Sequence, residues 1–242
     1  MFYYLIEPLL SFHFVLIAAA VIPALLLLIK VYRSDRLEKE SSGLLLNLVK
    51  AGVLSSLLAL VEERVLSVLL GLMVSPEDPI YNVILYFGIV AFSEESSKYL
   101  FLRHHTWRSP EFDCQYDGVV YGVFVSLGFA IWENISYVTQ YGFSVALIRA
   151  GTAIPGHACF GVFMGIFYGL AKKYENRGEA DISKLFRILA LVFPAGLHGA
   201  YDYIATMEEY TGDGIFIGFI AVLFIVSYIL VNRMSKNDKY IA

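Results

Sequence analysis

LLSFHFVLIAAAVIPALLLLI, running from Leu9 to Ile29, holds no Asp, Glu, Lys or Arg, and Lys30 follows it at once. A helix rises about 1.5 Å per residue, so crossing a hydrocarbon layer about 30 Å thick takes about 20 mostly apolar residues. This stretch is long enough, and six others repeat the pattern: Leu44 to Val74, Ile80 to Leu102, Gly118 to Tyr137, Ala150 to Ala171, Leu185 to Ile204 and Gly214 to Asn232. Composition agrees. Hydrophobic residues make up 58% of the 242 and charged residues 17%, against about 25% charged in an average soluble domain. Mean hydropathy is +0.64. Too few charges remain to cover a water-facing surface, which excludes a soluble domain, a disordered chain and a coiled coil. A net charge of −4 leaves no basic footprint for nucleic acid. Two cysteines, Cys114 and Cys159, are too few for a disulfide scaffold. The reading is an all-α, polytopic transmembrane bundle of about seven helices.

Basic residues set its orientation. Lys30, Arg33, Arg36 and Lys39 follow the first span, and Arg103 and Arg108 the third. Lys172, Lys173, Arg177 and Lys184 follow the fifth, and Arg233, Lys236 and Lys239 the seventh. Thirteen of the 18 basic residues thus fall on one side, which the positive-inside rule makes cytoplasmic. The N-terminus is expected outside and the C-terminus inside. Ala18-Ala19-Ala20 imitates a signal-peptide cleavage site, but the apolar run is too long and its positive charges come after it, so a retained helix is expected. Ser75 to Pro79, Tyr141 to Arg149 and Glu208 to Gly214 read as short outer loops, and Arg103 to Tyr116 as an inner one. The chain reads as one integral domain, 1–242, multi-pass in the cell membrane and in contact with its lipids. Its core is expected at 80–206, with 9–31, 44–74 and 213–232 peripheral.

Ionisable side chains at membrane depth cost several kcal/mol unless paired or hydrated, so each is a candidate for function. The third span reads Ala91-Phe92-Ser93-Glu94-Glu95-Ser96-Ser97-Lys98-Tyr99. Glu94 and Lys98, four apart, can pair on one face, while the adjacent Glu95 points about 100° away. The fourth span carries Gly118, Gly122, Ser126 and Ala130 at intervals of four, a smooth face for close helix contact, with Glu133 beside it. The fifth continues the theme: His157, Gly161, Gly165 and Gly169 share one stripe. In the sixth, His198 and Asp202 lie at i and i+4, a spacing that suits a carboxylate orienting an imidazole or two ligands of one metal. Helix-packing glue is the bland alternative for each group. It is preferred for Glu62-Glu63-Arg64, placed about 27 Å along the second span at the outer headgroups, and for His104 and His105 in the inner loop.

Glu94-Glu95-x-x-Lys98, Asp117-Gly118, Phe129-x-x-x-Glu133-Asn134, His157 and Pro194-x-x-x-His198-Gly199-x-x-Asp202 occur in this order between Ile89 and Tyr203. The set resembles the PrsW family of intramembrane proteases, itself distantly similar to the CAAX-processing and bacteriocin-immunity membrane proteases. Glu133 stands where the CAAX relatives usually carry a histidine. The resemblance implies hydrolysis of a peptide bond in or at the edge of the membrane. The family's best-known role is the first cut of an anti-sigma factor, so the expected partner is a single-span membrane protein substrate.

Amide hydrolysis needs an activated water, a stabilised oxyanion and a proton for the leaving amine. No serine here has a triad context. Glu94 or Glu95 is expected to activate water, and His198, oriented by Asp202, to steady the oxyanion or donate the proton. His157 and Glu133 complete the chamber, with Lys98, Asn134 and Asp117 in support. A metal mechanism stays open beside this one, since His157, His198 and a carboxylate would make a three-ligand zinc site with one position free. The lack of a His-Glu-x-x-His helix tips the reading slightly towards a metal-independent site. A proton- or ion-coupled transporter is the alternative function, because buried acids and histidines on glycine-rich helices suit that too. The depths of His157, His198 and Glu133 place the site in the outer half of the bilayer, so cleavage is expected near the outer boundary.

Overall fold

The computed structural model describes residues 2–207 and 214–241, with side chains from Phe14 onward. The expected loop at Glu208 to Gly214 lies, but for Gly214, outside the described residues. Among these residues the regular structure is helical, apart from one isolated bridge between Cys114 and Tyr240. The helices are α1 (Phe2–Ser34), α2 (Ser42–Met73), α3 (Pro79–Val83), a π-helical segment Ile84–Val90, α4 (Ala91–Thr106), α5 (Asp117–Tyr141), α6 (Phe143–Gly151), α7 (Ala153–Asn176), α8 (Ala180–Thr206) and α9 (Gly214–Lys236). Local chemistry marks their ends. The Ser41 hydroxyl accepts from Leu44 N–H at the start of α2, and Asp78 caps α3 ahead of Pro79. Gly142, at φ 86°, ends α5, because few residues with a side chain adopt that backbone.

The seven expected spans map onto α1, α2, α3–α4, α5, α6–α7, α8 and α9. Five stretches are long and apolar enough to cross a membrane: α1, α2, α5, α6–α7 and α9. The other two, α3–α4 and α8, carry the glutamates and the His–Asp pair. Two local expectations are corrected. Residues 143–151 are helical, not a loop, because after Gly142 the segment Phe143–Gly151 has one apolar side to lay against its neighbours. The third span is not one regular helix but passes through the π-helical segment before α4.

Burial ranks the helices. In the most apolar window of α5, 78% of residues are buried, against 28% for α1 and 22% for α9. So α5 is the axis of the bundle, and α1 and α9 turn most of their surface to lipid. Small residues bring the neighbours in. A Cβ at Gly118 would lie 2.6 Å from the Gly165 carbonyl oxygen, and one at Gly122 2.5 Å from that of Gly161. The two stripes seen in the sequence are therefore one seam between α5 and α7. A second seam joins α2 to α5, where a Cβ at Gly52 would stand 2.7 Å from Phe129 N. That places α2, expected at the periphery, against the core.

The four basic loops gather at one end. There the Ser41 hydroxyl donates to Glu111, Lys172 donates to the Trp107 carbonyl, and the Asn176 amide donates to the Ile241 carbonyl. Gln115 N–H donates to the Lys239 carbonyl and Ile241 N–H to the Asp113 carbonyl, strapping the C-terminal tail onto the α4–α5 loop.

Candidate active site

Helix placement builds the site before any side chain reaches into it. In the π-helical segment the ladder widens, and Ala91 N–H bonds back to the Tyr86 carbonyl, five residues earlier. Such π segments are frequent at functional sites because they re-aim the residues that follow. The segment lies against α8 at Gly199, where a Cβ would meet the Phe87 ring at 2.5 Å. Glu94 then falls in the first turn of α4 and Glu95 just after it, within reach of His198 on α8. The α5–α7 seam sets the other half: locked at Gly118–Gly165 and Gly122–Gly161, it brings Glu133 level with His157.

Lys98 is the centre. Its ammonium lies 3.0 Å from Glu94 Oε2, 2.8 Å from Glu95 Oε1 and 3.1 Å from His157 Nδ1, and its side chain is wholly buried. An ammonium has three protons, and all three are used. Glu94 and Glu95 thus converge on one lysine instead of diverging, because positions three and four residues back on a helix are both within reach of a long, flexible side chain.

The hydrogen bonds also fix the imidazoles. His157 Nδ1 accepts from Lys98, so its Nε2–H donates to Glu133 Oε2 at 2.8 Å. His198 Nδ1 lies 3.0 Å from Glu95 Oε1 and donates to that carboxylate. Its Nε2 faces Asp202 Oδ2 at 3.4 Å, an ion-pair contact longer than a hydrogen bond. The carboxylate that orients His198 is therefore Glu95, where the i, i+4 spacing had suggested Asp202. Phe160 stacks on the His198 ring at 4.7 Å and the Phe129 ring lies 4.0 Å below Lys98, walling the cluster off from lipid.

A cavity of about 590 Å³ takes in Glu94, Glu133, His157, His198 and Asp202, and extends to Tyr137 and Arg149 at the end of the bundle opposite the basic loops. The carboxylates are not alike. Glu95 has a side-chain exposure of 0%, Asp202 of 23% and Glu133 of 21%. Glu94 lines the cavity, whereas Glu95 is closed in behind it.

Not every expected residue comes here. Asn134 is one step removed, accepting from Arg149 Nε at 2.6 Å. Asp117 stands apart: it begins α5, about 24 Å along that helix from Glu133, and its Oδ2 accepts the N–H groups of Asp113 and Cys114. Its place beside Gly118 in a motif reflects the start of a helix, not nearness to the cavity. Conversely, three charged residues read as outer-surface groups belong to the site. Arg149 reaches Glu133 Oε2 at 2.7 Å and lines the cavity with Glu63 and Arg64, while Glu62 lies outside it, accepting from the Ser97 hydroxyl at 3.2 Å. A signal for Glu63 was present, since it continues the buried small-residue stripe Gly52, Ser56, Ala59 of α2 at intervals of three and four.

The residues also suit a metal ion. Glu94, Glu95 and His157 each present one donor atom, all within 4.8 Å of one another, and the buried Glu95 Oε2 has no hydrogen-bond partner. In this arrangement those donors hold the Lys98 ammonium.

Comparison with known proteins bears on the whole constellation. The family model for the PrsW family of intramembrane metalloproteases matches residues 40–231. A PrsW protease of Geobacillus kaustophilus is 33% identical over 199 residues, 82% of this chain and 83% of that protein. One of Oceanobacillus iheyensis is 30% identical over 92% of this chain and 97% of that protein. A third, of Bacillus subtilis, is 41% identical over 115 residues, 48% of this chain and 51% of that protein. No solved structure matches. The matched span takes in the seam, the cavity and every residue around Lys98, and the similarity to two of the relatives runs nearly end to end: the chain belongs to the PrsW family of intramembrane metalloproteases, a multi-pass protein of the cell membrane.

Proposed function

We propose that the protein hydrolyses a peptide bond of a single-span, membrane-anchored protein, such as an anti-sigma factor, near the outer membrane boundary. One observation carries the proposal. Ionisable side chains from α4, α5, α7 and α8 meet around a single cavity that extends to the end of the bundle opposite the basic loops. With those loops cytoplasmic, as charge placement has it, the N-terminus lies outside and water reaches the cavity from the outer face.

Of the paired glutamates, Glu94 is the one that lines the cavity, so it takes the proton from the attacking water. Glu95 is the positioning residue: its Oε1 holds both Lys98 and the Nδ1–H of His198. That leaves His198 Nε2, on the Asp202 side, as the nitrogen that passes a proton to the leaving amine. Asp202 stabilises the imidazolium that exists before this transfer, which leaves His198 neutral. The Lys98 ammonium, close to both glutamates, balances the negative charge of the oxyanion. Glu133, held by Arg149, keeps His157 in the tautomer that leaves Nδ1 free to accept. Glu94, Glu95 and His157 would hold a divalent ion of the zinc class, and bound there it would supply Lewis-acid activation of water.

The test is cleavage in proteoliposomes of a single-span substrate with tags on both sides. Expected is loss of cleavage in Glu94→Gln and in His198→Ala, with native helicity, and new termini on the outer side of the substrate helix. Full cleavage by both variants, or a cut on the cytoplasmic side, overturns the reading. Proton flux that depends on these residues, with no cleavage, identifies a transporter instead.

A further inference from the structure

At the basic end of the bundle a second group of acids gathers, partly to fully buried, and among the described residues no basic side chain forms an ion pair with it. Glu38 from the α1–α2 loop, Asp113 and Cys114 from the α4–α5 loop, and Asp117 at the start of α5 each present one donor atom, all within 4.8 Å of one another. Asp117 and Cys114 are fully buried. Asp117 Oδ2 is satisfied by two backbone N–H groups, but its Oδ1 has no donor, and neither has Asp113 Oδ1. Around this quartet the deficit widens. Asp35 and Glu40, 3% and 4% exposed, have no donor on either carboxylate oxygen, and Asp238 Oδ2 has none. The Lys39 ammonium is committed to backbone, donating to the carbonyls of Tyr32 and Asp35. Burial pushes the Asp35 carboxyl up to about 6 in spite of Lys39.

Unpaired carboxylates packed against a buried thiol cost several kcal/mol as anions, so either protons or a cation must neutralise them. Four donors around one tetrahedral zinc sit about 3.3 to 3.8 Å apart, given bonds of about 2.0 to 2.3 Å. The quartet is already near that spacing. The thiol decides the class of ion, because magnesium and calcium take six or more oxygens while thiolate favours zinc and its borderline neighbours. We propose that Glu38, Asp113, Cys114 and Asp117 form a zinc-class metal site at the cytoplasmic end, distinct from the membrane cavity. Its role is to clasp. It ties the α1–α2 loop to the start of α5, and through the Cys114–Tyr240 bridge it holds the C-terminal tail against them.

Cobalt(II) reads such a site directly, since a thiolate ligand produces a near-ultraviolet sulfur-to-cobalt charge-transfer band. The purified full-length protein in detergent, stripped with a chelator, is titrated with Co²⁺ alone. Expected is a charge-transfer band that saturates with cobalt and is lost in Cys114→Ser. Glu38→Gln, at the edge of the quartet and safe for folding, weakens cobalt binding at least tenfold. His157→Ala, in the membrane cavity, leaves the band intact, which separates this site from any metal there. No charge-transfer band in the native protein, a band that survives Cys114→Ser, or one unmoved by Glu38→Gln but lost in His157→Ala overturns the assignment.

Discussion

The two buried acid clusters differ in one respect. Around Lys98, four acids have basic partners: Glu94 and Glu95 share the ammonium, Glu133 has Arg149 and His157, and Asp202 faces His198. At the other end, Asp35, Glu40 and Asp117 are as deeply buried, yet none of them forms an ion pair with a basic side chain among the described residues. A cluster that is internally balanced can stand ready in hydrocarbon and turn its reactivity on a substrate. A cluster left unbalanced draws in a cation and becomes a fastening. Burial of acids is therefore not in itself a sign of catalysis; the placement of lysine, arginine and histidine separates the two cases.

The largest effect expected is on the frame that both clusters share. Gly165→Leu forces a side chain into the α5–α7 seam, where a Cβ at Gly118 already falls 2.6 Å from the Gly165 carbonyl oxygen. Overpacking of this kind costs about 1–3 kcal/mol where the backbone can shift, and more where it cannot. Loss of folded protein in detergent, read by size-exclusion and thermal melting, is expected. A Gly165→Leu variant with native melting and native activity would show that the seam does not set the register.

Next come the acid–base groups. His198→Ala and Glu94→Gln are expected to slow cleavage by roughly 10²- to 10⁴-fold, the usual contribution of one positioned proton-transfer group. Thermal stability should change much less than activity. Equal losses in both would make the cluster a structural network.

Arg149→Ala removes the counter-charge of Glu133 while leaving His157 in place. An intermediate effect, a tenfold to hundredfold slower cleavage, is expected, with partial rescue by Arg149→Lys, since lysine restores charge but not the fork that also grips Asn134 Oδ1. No rescue by lysine would locate the role in the Asn134 contact or in stacking on Tyr137.

The smallest catalytic effect belongs to the opposite end. Glu38→Gln should change cleavage by less than about twofold, because its cluster is about 24 Å along α5 from Glu133. The same variant should make the tail after Lys236 easier to clip in limited proteolysis. A large catalytic loss in Glu38→Gln would show the two clusters to be linked, and the contrast drawn here would fall.

The residues that meet around Lys98 and its cavity were visible in advance for a simple reason. In a chain with only 17% charged residues, an acid or histidine inside an apolar run is conspicuous, and Glu94, Glu95, Lys98, Glu133, His157, His198 and Asp202 were all found that way. Arg149, Glu63 and Arg64 were missed by the same logic, since they lie near span ends where charge is ordinarily solvated. Asp117 erred in the other direction. Its adjacency to Gly118 tied it to the functional motifs, but a helix separates sequence neighbours of the site from the site itself at 1.5 Å per residue.

By itself the sequence determined the all-helical membrane bundle, through the length of its apolar runs, and the seam between α5 and α7, through glycines at intervals of four. These are one-dimensional patterns, legible because helix geometry is fixed and bilayer thickness is nearly so. Only the tertiary structure decided which partner each charge meets. It showed Lys98 joining Glu94, Glu95 and His157, Glu95 in place of Asp202 on His198 Nδ1, and Asp117 among unpaired acids at the far end. The reason is physical: periodicity gives the face on which a side chain lies, but pairing depends on the relative height and rotation of separate helices, which many distant packing contacts set together.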